Sequence, residues 1–248
     1  MKQQLAEVER VMKAAAKGIP KAKAAERKHF MKAIMPMLGL TVPQQRACFK
    51  KGYSFSDLPD AEQYPVWDYV WFNARTHEAK MQAGFFVYAR RVSEDSAGLW
   101  ALVRDWAGAI NCWDQSDTLS GVYAALHEAD PKMVFPTLKA WNDDADPWKR
   151  RQSLVSLFYY AQLRRRHPAV SKVLSLLRAR LDDEDYYVQK GVGWTLRESF
   201  NVYPERTLAF LTKHAGDIRP AAFSASIEKL TAEEKATIKA LRKERRGR

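Results

Sequence analysis

A rhythm of apolar residues at helical spacing, cut at near-regular intervals by proline, constrains this chain more than any other feature. Leu119, Val122, Tyr123 and Leu126 fall at i, i+3, i+4 and i+7, as do Leu154, Leu157, Phe158 and Ala161. Val170, Val173, Leu174 and Leu177 repeat the spacing, with Leu181 one turn on. Each stripe defines one inward face of an amphipathic helix. Pro131, Pro147, Pro168, Pro204 and Pro220 each stand just before a new stripe, where a missing N–H costs nothing. Asp130 and Asp146 precede two of them as good N-caps, and His167 precedes a third. No two-residue alternation runs long enough for a strand. The pattern predicts an all-α chain of about twelve to fourteen short helices.

The punctuation carries a weak internal repeat. Asp146-Pro-Trp148-Lys-Arg-Arg151 with Leu157 aligns with Asp185-Tyr-Tyr187-Val-Gln-Lys190 with Leu196, and a poorer copy begins at Asn111-Cys112-Trp113. Each copy has a capping polar residue and then an aromatic two positions on. A helix-pair unit of about 40 residues lies in the HEAT and armadillo range, and stacked pairs of that kind wind into a curved solenoid, or superhelix, with a concave face. Chance similarity among amphipathic helices is the other explanation of the alignment.

Charge narrows the partners. The 248 residues include 41 Lys+Arg against 29 Asp+Glu, a formal net charge of +12, so a polyanion is the expected ligand. The charge is segmented: residues 131–180 hold 11 basic and 3 acidic residues, whereas 61–130 hold 5 and 10. No stretch reaches the ~18 apolar residues of a membrane span, and the opening MKQQLAEVERVMK lacks a signal-peptide apolar core, so a cytoplasmic protein without membrane contact is expected. Cys48 and Cys112 are too few for a disulfide framework and lack metal-ligand spacing; no metal and no cofactor are expected.

Some residues lie opposite their helix's apolar stripe. In the helix around YYVQKGVGWTLRESF the stripe is Val188, Val192, Leu196 and Phe200, and Trp194 points away from it with Lys190 and Arg197 one turn to either side. Gly191 and Gly193 beside it each cost about 1 kcal/mol in a helix interior, so something is expected to approach the backbone there. A basic-aromatic-basic face suits phosphates and a sugar or base; packing of Trp194 beneath a neighbouring helix explains it equally well. In NCWDQSDTLSGVYAAL, Asp117 lies opposite the stripe, with Trp113 one turn before it. Ser120, Gly121 and Ala124 share that face and are expected to leave an open strip around the carboxylate. Asp114 and Asp117 also fit an N-cap and its partner serving the helix start. Trp148, Lys149, Arg150 and Arg151, with Arg164 to Arg166 further on, read as phosphate contacts or as solvated surface.

CWDQSD around Trp113 and Asp117, PWKRR ending at Arg151, and YYVQKGVGWTLRE around Trp194 carry a resemblance. With KHFMKAIMPMLGLTVPQQR near the N-terminus, the chain resembles the HEAT-like-repeat DNA alkylation-repair glycosylases, the AlkD family. The resemblance covers roughly residues 22–230, and the expected organisation is one HEAT-like repeat domain over 1–234 followed by a basic helix end or tail over 235–248. It implies a curved all-α solenoid whose concave basic face holds double-stranded DNA containing alkylated bases. The reaction implied is excision of cationic N-alkylated purines such as 3-methyladenine and 7-methylguanine. The aromatic-carboxylate cluster would fall on Trp113, Asp117 and Trp194 and the backbone arginine on Arg151, with Trp148, Lys149, Arg150, Lys190, Arg197 and Phe30 as further DNA contacts. Departures are Cys112, where family members have a second Trp, and Phe30, where they have Tyr; both bear on lesion range. An already cationic base leaves without a general acid, so one ionised carboxylate suffices to stabilise the oxocarbenium-like sugar and position water. Alternatives are a non-catalytic repeat protein that binds damaged or branched DNA, and a scaffold for an acidic protein. A monomer is expected from a fold with one continuous concave face.

Overall fold

The computed structural model describes residues 1–247, and Arg248, the last residue of the expected basic tail, lies outside them. Fourteen α-helices and two short 3-10 turns make up the regular structure of the described residues, which contain no strand. The chain divides into two compact units, Met1–Val122 and Tyr123–Arg248. Among the described residues no helix is long and apolar enough to cross a membrane.

The first unit comprises α1 (Lys2–Ala15), α2 (Lys21–Met31), α3 (Val42–Lys51), α4 (Asp60–Asn73), α5 (His77–Arg90), α6 (Ser96–Val103), a 3-10 turn (Arg104–Ala109) and the first half of α7 (Trp113–Ala129). Its centre is aromatic: Trp67 and Trp71 of α4 are buried, and Trp71 stacks on Trp106 with ring centroids 4.6 Å apart. Around α4, α5 packs against α3 and α4, and α1 touches all three. Glu78 of α5 fixes the approach to α3, since its carboxylate accepts from the backbone N–H groups of Leu38, Gly39 and Leu40 at 2.7 to 3.2 Å. A buried carboxylate is tolerated here because three donors replace its water.

The second unit comprises the rest of α7, α8 (Pro131–Trp141), α9 (Pro147–Val155), a 3-10 turn (Ala161–Leu163), α10 (Val170–Arg178), α11 (Tyr186–Val202), α12 (Pro204–His214), α13 (Pro220–Ser226) and α14 (Ala232–Arg246). Four of the five prolines occupy the first helical position as predicted, at α8, α9, α12 and α13. Pro168 does not: α10 starts two residues later, with Ala169 as a cap that offers no side-chain acceptor. Asp130 caps by accepting from the Lys132 and Met133 N–H groups at 3.0 Å, and Asp146 and Asp185 each accept from the N–H two residues on at 2.8 Å. Trp148 and Tyr187, the aligned aromatics of the repeat, stack at 4.8 Å.

Two elements depart from expectation. The stripe through Ala161 is buried, but its helix ends at Val155 and the chain turns through Tyr159 at φ 55°. The boundary expected at 234/235 falls inside α14, whose Thr231–Glu234 capping box starts one continuous helix. The basic end of α14 is bonded to its unit: Arg242, Arg245 and Arg246 donate to the carbonyls of Thr212, Lys213, Ala215, Gly216 and Ile218. These carbonyls lie at the C-terminal end of α12 and just beyond, where helix carbonyls lack intrahelical partners and cations are favoured.

Candidate functional site

The start of α7 presents the first group of residues. Trp113, its first residue, is half-buried against the cluster of Met31, Ala33 and Cys112, and meets Phe30 of α2 edge-on at 6.0 Å. Phe30 is 69% exposed, an uncommon state for a phenyl ring that has a partner on one side only. Asp117 follows one turn after Trp113 and is half-exposed. The expected open strip beside it does not form, because Ser120, Gly121 and Ala124 are all buried. Those small residues serve packing: past its second turn α7 is enclosed on every side, and small side chains allow its neighbours to approach.

Beneath Trp113 lies a polar network that spacing alone did not reveal. Asp114 pairs with His77 of α5, Nε2 to Oδ2 at 2.8 Å, while its other oxygen accepts from the Cys112 thiol at 2.9 Å and the Gln115 N–H at 2.9 Å. Burial alone would raise the Asp114 pKa, but the hydrogen bond and charge of His77, with the thiol and N–H donors, hold it below the usual carboxylate range. Burial, then the neighbouring Asp114 charge, pushes the Cys112 thiol far up. A thiol held protonated is a packing donor and not a nucleophile. His77, Cys112 and Asp114 offer donor atoms within 4.8 Å of one another, the one such trio among the described residues. The Cys112 thiol is hydrogen-bonded to Asp114 at 2.9 Å, and His77 Nε2 lies at ion-pair distance, 2.8 Å, from the same carboxylate without a well-aligned hydrogen bond. Lys80 is buried nearby, its Nζ bonded to the Ala109 carbonyl at 2.5 Å and lying 4.5 Å over the Trp71 ring. Burial lowers its pKa to about 8.

The second group lies on α9 and α11. Arg151 is 4% exposed and donates from Nη1 to the Tyr187 carbonyl at 2.9 Å. Arg150 forks onto Asp183 at 2.8 and 3.2 Å and also donates to the carbonyls of Asp144 and Ala145. Lys149 pairs with Asp144 at 3.0 Å. Arg197 pairs with Glu198 and Glu228 and lies 4.4 Å over the Trp194 ring, whereas Lys190 is exposed.

Trp194 itself is half-buried and tethered. Its indole N–H donates to the Tyr159 carbonyl at 2.5 Å, and Tyr160 meets it edge-on at 5.0 Å. The left-handed turn at Tyr159 aims that carbonyl, a conformation costing roughly 1–2 kcal/mol for a non-glycine residue. The two glycines beside Trp194 answer to neighbouring helices. A Cβ on Gly193 would sit 2.5 Å from the Ala222 carbonyl oxygen of α13, and one on Gly191 would sit 3.3 Å from Arg151 Cγ of α9.

An all-helical chain of paired, Asp-capped helices, with an indole and a carboxylate one turn apart on one helix and a tethered indole on another, defines a helical-repeat protein. A model of DNA alkylation repair enzymes matches residues 9–230, and the chain belongs to that family. Among solved structures it is similar to a predicted DNA alkylation repair enzyme from Enterococcus faecalis, with TM-score 0.68 and 16% identity over 85% of this chain and 96% of that one. It is also similar to AlkD2 from Streptococcus mutans, with TM-score 0.51 and 14% identity over 90% of this chain and 96% of that one. At these identities the likeness concerns the fold. No curated protein matches.

Proposed function

We propose that this protein is a DNA glycosylase that hydrolyses the N-glycosidic bond of cationic N-alkylated purines, 3-methyladenine and 7-methylguanine, in duplex DNA. The observation that carries the reading is Asp117, a half-exposed carboxylate one turn beyond the half-exposed indole of Trp113. N-glycoside cleavage builds positive charge on the sugar, and a fixed carboxylate stabilises that charge as it develops and orients the attacking water. The alkylated base already carries the charge that makes it leave, so a second acid is not required. Trp113 supplies an aromatic face for the cationic sugar. In the second unit Trp194, held by Tyr159, offers an aromatic face to the DNA.

In this reading basic and aromatic residues hold the duplex: Lys190 and Phe30 are exposed, and Trp148, Lys149, Arg150, Arg151 and Arg197 are the further contacts. Arg150 and Arg151 have the least freedom to take a phosphate, since Asp183 and two carbonyls already occupy the first and the second is 4% exposed and bonded to the Tyr187 carbonyl. The enzyme works as a cytoplasmic monomer; a dimer seen by light scattering without DNA would contradict this.

The test is release of free base from methylated duplex DNA by the wild type, by Asp117→Asn and in an enzyme-free control. Release by wild type with a loss of roughly a hundredfold or more in Asp117→Asn is expected. If both proteins bind duplex and neither releases base, the non-catalytic DNA-binding reading takes its place.

A further inference from the structure

Away from Asp117, the second unit contains a cavity of about 240 Å³ between the end of α7, the start of α8, the segment after α9 and the start of α10. Its walls are basic: Arg164, Arg166, His127, His167 and Lys172 line it, with Glu128 as the one carboxylate. Glu128 is already engaged. Its Oε1 accepts from the backbone N–H groups of Arg165 and Arg166 at 2.7 and 3.0 Å, and its Oε2 pairs with Arg164 at 3.3 Å.

Three features remain without anionic partners. Arg166 and Lys172 are exposed at the mouth, and among the described residues neither has a carboxylate at ion-pair distance. The N-terminal end of α10, nine residues long, opens on the cavity through Ala169 with no side-chain cap to accept from its first N–H groups. His127 is 4% exposed, lines the cavity, and touches Phe135 by its ring, while its nitrogens find no hydrogen-bond partner among the described residues. Its ring nitrogens keep access to the cavity, so they take their partner from what the cavity holds, water or a ligand. Two cations without a carboxylate partner, Lys172 lying 4.6 Å over the Phe135 ring, an uncapped helix N-terminus and a nitrogen-bearing floor converge on one small space, the arrangement that receives a compact anion with several acceptor oxygens.

We propose that this cavity binds a phosphoryl group, with Arg166 and Lys172 as its cationic jaws, the N-terminus of α10 as its N–H donor and His127 as its floor. The volume suits one phosphoryl group and not a whole nucleotide. Burial, and then the Lys172 charge, lowers the His127 pKa to about 4, so the imidazole is neutral in the empty cavity. An anion seated between it and Lys172 reverses the second effect and draws the His127 pKa upward. The inference does not depend on the glycosylase reading, since it uses none of the residues assigned to the reaction.

The full chain is titrated with inorganic phosphate, against chloride at equal ionic strength, while the imidazole carbon resonances are followed by NMR. His127 is identified by its absence in His127→Gln. A parallel titration uses an unmodified duplex oligonucleotide, which separates a free phosphate ligand from a backbone phosphate. A saturable shift of the His127 signal with either probe is expected, weakened tenfold or more in an Arg166→Met, Lys172→Met double variant that keeps the wild-type Tm. Absence of a saturable shift with both probes, or an unchanged titration in the double variant, overturns the proposal.

Discussion

At the residue scale, the same chemistry serves opposite ends in Asp114 and Asp117, three positions apart on one helix. Asp114 is enclosed and fully occupied by His77, Cys112 and the Gln115 N–H, so it anchors the first turn of α7. Asp117 stands half-exposed, and Asp117→Asn changes one charge with little change of shape; it is expected to fold with a near-native Tm while losing roughly a hundredfold or more of base release. Lys80 gives a pH prediction. Its folded pKa of about 8 lies below the ordinary 10.5, so between those values the unfolded chain holds more protons and wild-type stability gains as pH rises. Denaturant unfolding of wild type and Lys80→Met, compared at pH 7.5 and 10.5, is expected to shift in favour of wild type by about 3 kcal/mol across that window. A constant difference between the two proteins would refute the buried charge. Neither the His77–Asp114 pair nor the Lys80 environment was legible in the sequence, because α5 and α7 are distant along the chain and no spacing rule joins them.

At the element scale, α11 is the helix on which the second unit turns, packed against α9 on one side and α13 on the other. Its glycines look alike in sequence and differ in consequence. Gly193→Ala drives a methyl into the Ala222 carbonyl at 2.5 Å and Ala225 Cβ at 2.9 Å, both on a helix with no flexible atom to yield. The overpacking penalty of about 1–3 kcal/mol exceeds the ~1 kcal/mol that alanine returns in helix propensity, so net destabilisation is expected on thermal unfolding. Gly191→Ala meets the flexible Arg151 side chain at 3.3 Å and is expected to stay within about 1 kcal/mol of wild type. Helix starts were the most legible elements, since Asp130, Asp146 and Asp185 act within three residues of themselves. The end of α9 was not: Leu157 and Phe158 keep the helical spacing and are buried, yet the chain leaves the helix to bring the Tyr159 carbonyl to Trp194, a partner that periodicity cannot see.

For the whole molecule, the excess of 41 basic over 29 acidic residues predicts salt-dependent attraction to nucleic acid. Measured on an unmodified duplex by anisotropy, log K against log salt is expected to fall with a slope of about −4 or steeper, from roughly four or more neutralised phosphates. A slope near zero would remove duplex DNA as the ligand of the basic surface. The number of helices, their proline and aspartate starts, the positive charge and the family motifs around Trp113, Arg151 and Trp194 were determined by the sequence alone, because each rests on neighbours within a few turns or on net composition. Tertiary structure decided which polar and charged groups are already partnered. Arg150 is held by Asp183, Arg197 by Glu198 and Glu228, and Asp114 by His77, while Arg166, Lys172 and His127 meet at a cavity whose one carboxylate, Glu128, is taken up by Arg164 and two backbone N–H groups. The reason is physical: a charge's availability depends on what lies within about 4 Å of it, and in a chain of stacked helices those neighbours come from other elements.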